Sequence, residues 1–117
     1  MNVYGTQQLR NVVILGHGGA GKSTVAEAMA YVTGAISKMG KISDGNTISD
    51  YDKEEIKRGF SIATSIIPVE YEGESGMVKV NLLDTPGYFD FVGEVEEAVS
   101  AADAAVIVIN CKAGIEV

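Results

Sequence analysis

The chain has 117 residues, with 9 basic and 16 acidic side chains and a formal net charge of −7. This length suits one domain or part of one, and the negative charge argues against a nucleic-acid-binding surface, which needs a basic face. A single cysteine, Cys111, excludes an internal disulfide and fits a reducing compartment. No apolar run reaches the roughly 18 residues that span a bilayer, and no signal peptide is recognisable. We therefore expect a soluble, cytosolic protein without a membrane partner.

The first third of the chain predicts a strand, a glycine-rich loop and a helix. Residues 10–15 contain an unbroken apolar row, typical of a strand that is covered on both faces. After the loop, apolar residues recur at helical spacing until Gly34, namely at Val25, Ala28, Met29 and Val32. Residues 34–60 are polar, with no sustained period, and only 50–58 are compatible with a short helix. So long a connection is usually functional or mobile.

The remaining elements predict a hairpin, a second helix and a last strand. Residues 60–73 and 77–84 are rich in β-branched residues or alternate, which predicts an antiparallel pair. Pro68 places the first of these strands at a sheet edge, and we expect Ile62, Thr64 and Ile66 to share one face. A helix follows over 92–102, and its glutamates are expected on a solvated face: Glu94, Glu96 and Glu97. Residues 104–110 predict another buried strand. The result is an α/β sheet with helices on its faces.

The loop "GHGGAGKST", residues 16–24, matches the pattern Gly-x-x-x-x-Gly-Lys-Ser/Thr. Glycines let backbone N–H groups crowd around an anion, and the positive end of the following helix stabilises phosphate oxygens. Lys22 is placed to reach the β- and γ-phosphates, Ser23 to ligate Mg²⁺, and Thr24 to add a hydroxyl near the inner phosphates. An incidental glycine turn is the alternative, and the strand-loop-helix context argues against it. His17, the sole histidine, is more typical of a packing or hydrogen-bonding residue than of a base.

The segment "LLDTPG", residues 82–87, predicts the second half of the site. Asp84 follows a buried strand, where a carboxylate is placed to hold Mg²⁺ directly or through water. Gly87 is able to present its N–H to a γ-phosphate because no side chain blocks the approach. An ordinary Asp-Thr-Pro-Gly turn is the alternative.

Three stretches resemble the N-terminal GTP-binding region of translational GTPases, and especially elongation factor G and its paralogues. They are "GHGGAGKST", "KRGFSIATS" and "LLDTPGYFDFVGEVEEAVSAADAAVIVIN", so the resemblance runs from about Asn11 to the end of the chain. It implies a phosphate-loop NTPase fold of the Ras-like G-domain type, with a mixed, mostly parallel sheet that stops after its fourth strand. It also implies GTP and GDP as ligands, Mg²⁺ as the metal and the ribosome as a partner of the full-length protein.

The resemblance also implies roles for particular segments and residues. Residues 34–61 correspond to the first switch segment and 84–93 to the second. Ser61 falls where the family has a magnesium-binding threonine, so the metal ligands would be Ser23, Ser61 and Asp84. The nucleotide-binding set is Gly16, His17, Gly18, Gly19, Ala20, Gly21, Lys22, Ser23, Thr24, Asp84, Thr85, Pro86, Gly87 and Tyr88. The catalytic candidates are Lys22 and Tyr88.

Two positions depart from the family pattern. Tyr88 stands where elongation factor G usually has a histidine that positions the attacking water. A phenol still donates and accepts hydrogen bonds but carries no imidazolium charge, so we expect slow or partner-dependent hydrolysis. Gly19 stands where an aspartate usually helps to hold a monovalent cation, which argues against that cation here.

The family's guanine-recognition motif, Asn-Lys-x-Asp, does not occur in these residues. We therefore expect a fragment of a longer protein, with weak nucleotide binding, little or no activity of its own, and self-association through an apolar sheet edge. Two other functions stay open at this point: a phosphate-loop kinase or ATPase, and a regulatory module that binds nucleotide but scarcely hydrolyses it.

Overall fold

The structure, a computed structural model, describes residues 2–116. Its strands are β1 (Leu9–Leu15), β2 (Ser65–Gly73), β3 (Gly76–Asp84) and β4 (Ala104–Ile107). Its α-helices are α1 (Lys22–Val32), α2 (Lys53–Arg58) and α3 (Val92–Ala101). Short 3₁₀ turns lie at Thr6–Gln8, Ile42–Asp44 and Phe89–Phe91. Within residues 2–116, no helix combines the length and the apolar character that a bilayer crossing requires.

The four strands form one mixed sheet in the order β2-β3-β1-β4. The predicted hairpin is confirmed, because β2 and β3 pair antiparallel, while β1 lies parallel to both β3 and β4. Ile14 near the end of β1 pairs with Asp84 at the end of β3. The two central strands therefore end together, and the loops that follow them meet at one edge of the sheet, as parallel α/β sheets require.

Helices cover both faces of the sheet and explain the unbroken apolar row of β1. Ile14 points to the face covered by α1, where it is fully buried in the larger core cluster. Val13 points to the opposite face and packs with Leu83 of β3 and Ala98 of α3. Neighbouring residues of a strand face opposite sides, so a central strand between two helical layers needs apolar residues at every position. The predicted α/β class is confirmed.

The predicted face of β2 is wrong. The buried residues of this strand are Ser65, Ile67 and Val69, whereas Ile66 is 67% exposed. Ile62 and Thr64 come before the strand begins. Pairing with β3 fixes which residues point inward, and a shift of one residue reverses the faces of a strand. The edge position that Pro68 predicted is confirmed, because β2 ends the sheet.

The last strand is shorter and more exposed than predicted. β4 covers only 104–107 of the expected 104–110, and all four of its residues are exposed. Among the residues the structure describes, β4 pairs on one side only, with β1, and Ile107 is 68% exposed. The expectation of a buried strand is therefore wrong in this chain. Self-association through this edge stays a prediction.

The long connection between α1 and β2 is held by a buried carboxylate. Glu27, on α1, is only 2% exposed. Its Oε1 accepts a hydrogen bond from the Gly40 amide at 2.8 Å, and its Oε2 accepts one from the Ile48 amide at 2.8 Å. The loop 40–48 is thereby fixed to the helix that follows the glycine-rich loop.

We expect Glu27→Gln to lower the free energy of unfolding by about 1–3 kcal/mol, because an amide NH₂ cannot accept a hydrogen bond and one loop N–H loses its partner. Urea denaturation measures the change, and the exposed Glu96→Gln is the matched control. Equal stability of the two variants would contradict this anchoring role.

Candidate functional site

Three segments meet at the edge where β1 and β3 end. They are the glycine-rich loop with the first turn of α1, the end of the first switch segment, and the loop after β3. Together they enclose a cavity of about 70 Å³. The cavity is lined by Gly18, Gly19, Gly21, Lys22, Ser23, Ile42, Asp50, Gly59, Phe60, Ser61, Gly87 and Tyr88. Residues that are far apart in the sequence therefore face one small space.

Lys22 and Ser23 form the floor of this cavity. Both lie in the first turn of α1 and are only 6% exposed although they are polar. The Lys22 ammonium donates a hydrogen bond to the carbonyl of His17 at 2.9 Å. Burial lowers the pKa of Lys22, and the negative charges of Asp84 and Asp50 oppose this effect. A cation is thus held inside the glycine-rich loop, at the N-terminus of a helix whose dipole also favours anions.

Ser61 reaches the site across 38 residues of sequence. Its Oγ lies 3.2 Å from the Oγ of Ser23 and donates a hydrogen bond to Asp50 Oδ1 at 2.6 Å. The two serines that the sequence predicted as metal ligands therefore lie together. Asp50 was missed, since nothing in its local pattern distinguishes it from the acidic residues around it.

Asp84 is a buried carboxylate without an ordinary partner. It is 1% exposed, and within residues 2–116 neither of its oxygens makes a hydrogen bond. Burial raises its pKa; the hydroxyls of Ser23 and Ser49 and the charge of Lys22 oppose the rise, whereas Asp50 adds to it. The hydroxyl dipoles thus act on the carboxylate without hydrogen-bond geometry. Burying a carboxylate is costly unless it is paired, so this position disfavours the charged form of Asp84.

Asp50, like Asp84, is a buried carboxyl group. Its Oδ2 is buried and has no hydrogen-bond partner among the described residues. Burial raises the pKa of Asp50, the Ser61 hydroxyl and Lys22 oppose the rise, and Glu55 adds to it. Two carboxylates and one ammonium leave a local excess of negative charge.

The donor set fits a magnesium ion that also binds phosphate. The available groups are two serine hydroxyls and two carboxylates, and Mg²⁺ prefers oxygen ligands. Across 2–116, no three His, Cys, Asp or Glu side chains gather into a group able to hold a metal alone. Ser23, Ser61, Asp50 and Asp84 together supply oxygen atoms of the kind that Mg²⁺ prefers.

The loop after β3 touches the glycine-rich loop directly. The Gly18 amide donates a hydrogen bond to the Gly87 carbonyl at 3.0 Å. A Cβ at Gly87 would collide with Lys22 Nζ and with the Gly18 amide nitrogen. Only glycine permits this approach, and the presentation of the Gly87 N–H to a γ-phosphate stays a prediction.

Tyr88 lies over Gly18, at the mouth of the site. A Cβ at Gly18 would stand 2.9–3.0 Å from the Tyr88 ring, so the ring occupies the space of the missing side chain. The ring also meets Phe60 of the first switch segment edge to face, with centroids 4.7 Å apart, and lies tilted 6.5 Å from the His17 ring. Tyr88 therefore bridges the two switch segments.

Other residues of the predicted site lie at its margins. Thr85 is buried, and its hydroxyl donates to the Ile14 carbonyl at 2.6 Å, which ties the loop to β1. Pro86 is also buried, whereas Thr24 is exposed on α1. Neither Thr85, Pro86 nor Thr24 lines the small cavity.

A second cavity, of about 280 Å³, lies on the β4 side of the glycine-rich loop. Gly16, His17 and Ala20 line it together with residues 107–110. These three members of the predicted site thus lie beside the end of the last strand, and the His17 carbonyl also contacts the Lys22 ammonium.

Glu94 departs from its predicted place on a solvated face. Glu96 and Glu97 are exposed as expected, but Glu94 is half-buried. Its Oε2 accepts a hydrogen bond from the Thr64 amide at 2.8 Å. The prediction is wrong for this residue because a helix-period argument counts no contacts with the distant residues just before β2.

We expect Asp84→Asn to stabilise the nucleotide-free and Mg²⁺-free protein at pH 7. The folded protein binds the Asp84 proton more tightly than the unfolded chain does, so stability falls as pH rises from the ordinary aspartate value to the raised folded pKa. Asparagine does not ionise and escapes this cost, which is about 1–2 kcal/mol for a poorly paired buried charge.

Thermal unfolding between pH 8 and pH 4.5 measures the difference, which should shrink as the pH falls. The exposed Asp90→Asn serves as the control. A variant less stable than the unmodified protein at pH 7 would show that the Asp84 charge is already compensated.

Comparisons with known proteins agree with this geometry. The model of the elongation factor Tu GTP binding domain matches residues 7–117. The elongation factor G-like protein of Mycobacterium tuberculosis is 40% identical over 108 residues, which are 92% of this chain and 15% of that protein. The mitochondrial ribosome-releasing factor 2 of Drosophila virilis is 39% identical over 111 residues, covering 95% of this chain and 15% of that protein.

A crystal structure of a Thermus thermophilus protein has the same fold. It superposes with a TM-score of 0.87 at 40% identity, over 94% of this chain and 16% of that one. The chain thus spans about 15% of the length of the relatives it matches. These similarities do not favour the kinase, ATPase or non-hydrolysing alternatives. The chain belongs to the family of elongation factor Tu GTP-binding domains.

Proposed function

We propose that this chain holds the phosphates of GTP or GDP, with Mg²⁺, between the glycine-rich loop and the two switch segments. In the intact protein it hydrolyses GTP and acts as a conformational switch on the ribosome. The observation that carries the proposal is the contact of Ser61 with Ser23 and Asp50, beside the unpaired carboxylate of Asp84.

The glycine-rich loop is the phosphate-binding element. Backbone N–H groups of the loop and the N-terminus of α1 favour an anion, and the buried Lys22 adds a full positive charge. Its hydrogen bond to the His17 carbonyl orients the ammonium inside the loop. From there Lys22 stabilises negative charge on the β- and γ-phosphates, the electrostatic work on which phosphoryl transfer depends.

Ser23 and Ser61 are the residues that would hold Mg²⁺, with Asp84 and Asp50 acting directly or through water. When bound, Mg²⁺ would supply positive charge that offsets the negative charge of the phosphates. Because Ser61 belongs to the first switch segment, its hydroxyl links nucleotide state to the conformation of residues 34–61. The buried charge of Asp84 makes the empty site unfavourable and the loaded site favourable.

We expect Lys22→Ala to weaken GDP and GTP binding by at least about tenfold, the loss expected for a charge-assisted contact. Titration of the intact protein with fluorescent GDP and a non-hydrolysable GTP analogue measures it. Lys38→Ala, at an exposed lysine outside the cavity, is the control. Undiminished affinity in Lys22→Ala would overturn the proposed phosphate site, and ATP competing as well as GTP would overturn the choice of base.

Tyr88 is proposed to position the attacking water. Its ring is fixed between Gly18 and Phe60 at the mouth of the cavity. Its phenol is able to accept and donate a hydrogen bond there. It lacks the positive charge of an imidazolium, so intrinsic hydrolysis is slow and depends on a partner.

We expect Tyr88→Phe to lower kcat for GTP hydrolysis by about 10- to 100-fold with little change in KM, because only the hydroxyl is lost. Phosphate release with and without ribosomes measures the effect. Tyr71→Phe, on β2, is the matched control. If stimulated hydrolysis is unchanged, the phenol takes no part in the reaction and only its ring matters.

The remaining parts of the proposal rest on similarity. Guanine as the base follows from the GTP-binding family, and the ribosome as partner from the names of the relatives. A cytosolic location is proposed on the same ground, although one relative is named as mitochondrial.

A further inference from the structure

The backbone directly after Ser61 is held by carboxylates instead of by a sheet. The amides of Ile62 and Ala63 donate to Glu55 Oε1 at 3.0 and 3.2 Å, and the next amide, of Thr64, donates to Glu94 Oε2 at 2.8 Å. Three consecutive N–H groups are therefore satisfied by side chains. The β2 strand begins only afterwards, at Ser65.

The two carboxylates come from different parts of the fold. Glu55 lies on α2, inside the first switch segment, and is 4% exposed. Glu94 lies on α3, directly after the second switch segment. The Thr64 hydroxyl also donates to the Glu94 backbone carbonyl at 3.2 Å. Thr64 is thus tied to α3 at two points, by its amide and by its hydroxyl.

This link restricts how far Ser61 can move relative to α3. Two residues lie between Ser61 and Thr64, and a fully extended chain spans at most about 10 Å from one to the other. Glu55 removes more freedom by holding the two amides in between. A displacement of α3 that carries Thr64 along must therefore move the Ser61 hydroxyl relative to Ser23.

We propose that Glu94 is a positioning residue that couples the second switch segment to Ser61. Through Thr64 it keeps the Ser61 hydroxyl within reach of Ser23 and of the ion that these serines hold. The inference rests on the proposed function, because it assigns Ser61 to the Mg²⁺ and γ-phosphate side of the site. Glu94 itself touches neither nucleotide nor metal.

The coupling has a thermodynamic consequence. Because Ser61 is assigned to the Mg²⁺ and γ-phosphate side of the site, the Glu94 link adds more to the affinity for GTP than to that for GDP. A link that favours one state raises affinity for the ligand of that state alone. The ratio of the two affinities therefore reports the coupling, whereas a general loss of stability weakens both nucleotides.

The test compares three variants in the intact protein: Glu94→Ala, Glu94→Gln and the exposed Glu97→Ala on the same helix. The measurements are Kd for GDP and for a non-hydrolysable GTP analogue, each across a Mg²⁺ titration. We expect Glu94→Ala to lower the preference for the GTP analogue about tenfold, the effect of one charge-assisted hydrogen bond, and to raise the Mg²⁺ concentration needed. Glu94→Gln keeps an oxygen that accepts from Thr64 and retains most of the preference, and Glu97→Ala is unchanged.

The Thr64→Val variant tests the contact between Thr64 and Glu94 from the other partner. Valine keeps the shape of threonine and the backbone amide but removes the hydroxyl bond to the Glu94 carbonyl, so we expect the GTP preference to fall about threefold. This variant keeps the test decisive if Glu94→Ala folds poorly.

An unchanged GTP-to-GDP ratio in Glu94→Ala or Thr64→Val overturns the inference, and so does an equal loss for both nucleotides or a failure of glutamine to restore the preference. In those cases the unmodified protein still binds GTP with Mg²⁺, and the proposed function stands. An unmodified protein that binds no guanine nucleotide overturns both.

Discussion

The site depends on one unfavourable arrangement: a buried carboxyl group at the end of a central strand, which accepts no hydrogen bond from residues 2–116. Asp84 is held there by β3, whose pairing with β1 is continuous up to that residue. Lys22 lies close, but burial is the largest influence on the pKa of Asp84 and raises it. The fold therefore holds an ionisable group where its charged form is costly. Carboxyl groups that are perturbed in this way cluster at functional sites.

A second constraint is that the long segment between α1 and β2 is shaped by carboxylates more than by apolar packing. Glu27 fixes residues 40–48 to α1, and Glu94 fixes Thr64 to α3. Between them, Glu55 accepts a hydrogen bond from the Ile62 amide. Each of these carboxylates accepts backbone N–H groups that would otherwise lack partners. Hydrogen bonds of this kind are strong when made and costly when broken. These contacts hold the segment at defined points along its length.

The sequence predicts the parts of this fold that local patterns encode. The apolar row of β1, the loop at 16–24 and the position of Asp84 follow from residue types and their order. The buried face of β2 does not follow from the sequence, because alternation over 60–73 allows two registers and only pairing with β3 selects Ile67 over Ile66.

The roles of Asp50, Glu27 and Glu94 do not follow from the sequence either. Each bonds to groups 11 to 30 residues away, and an acidic side chain that is buried by such contacts looks like a solvated one in the sequence. A signal that the sequence did carry is the length of the connection between α1 and β2, because long connections are usually functional or mobile.

The residues Gly18 and Tyr88 are best understood together. An aromatic ring on the loop after β3 needs room above the glycine-rich loop, and the missing side chain of Gly18 provides it, since even a methyl group there would meet the ring at 2.9–3.0 Å. Phe60 then closes the other side of the ring, with centroids 4.7 Å apart. The contact joins the two switch segments directly, above the hydroxyl link between Ser23 and Ser61. Gly18, Tyr88 and Phe60 come from three different loops and pack together through the Tyr88 ring. Replacement of any one of them therefore changes the surroundings of the other two. The identity of the residue after Asp-Thr-Pro-Gly is therefore tied to the shape of the glycine-rich loop, and chemistry at Tyr88 has to be considered with the space that Gly18 leaves for it.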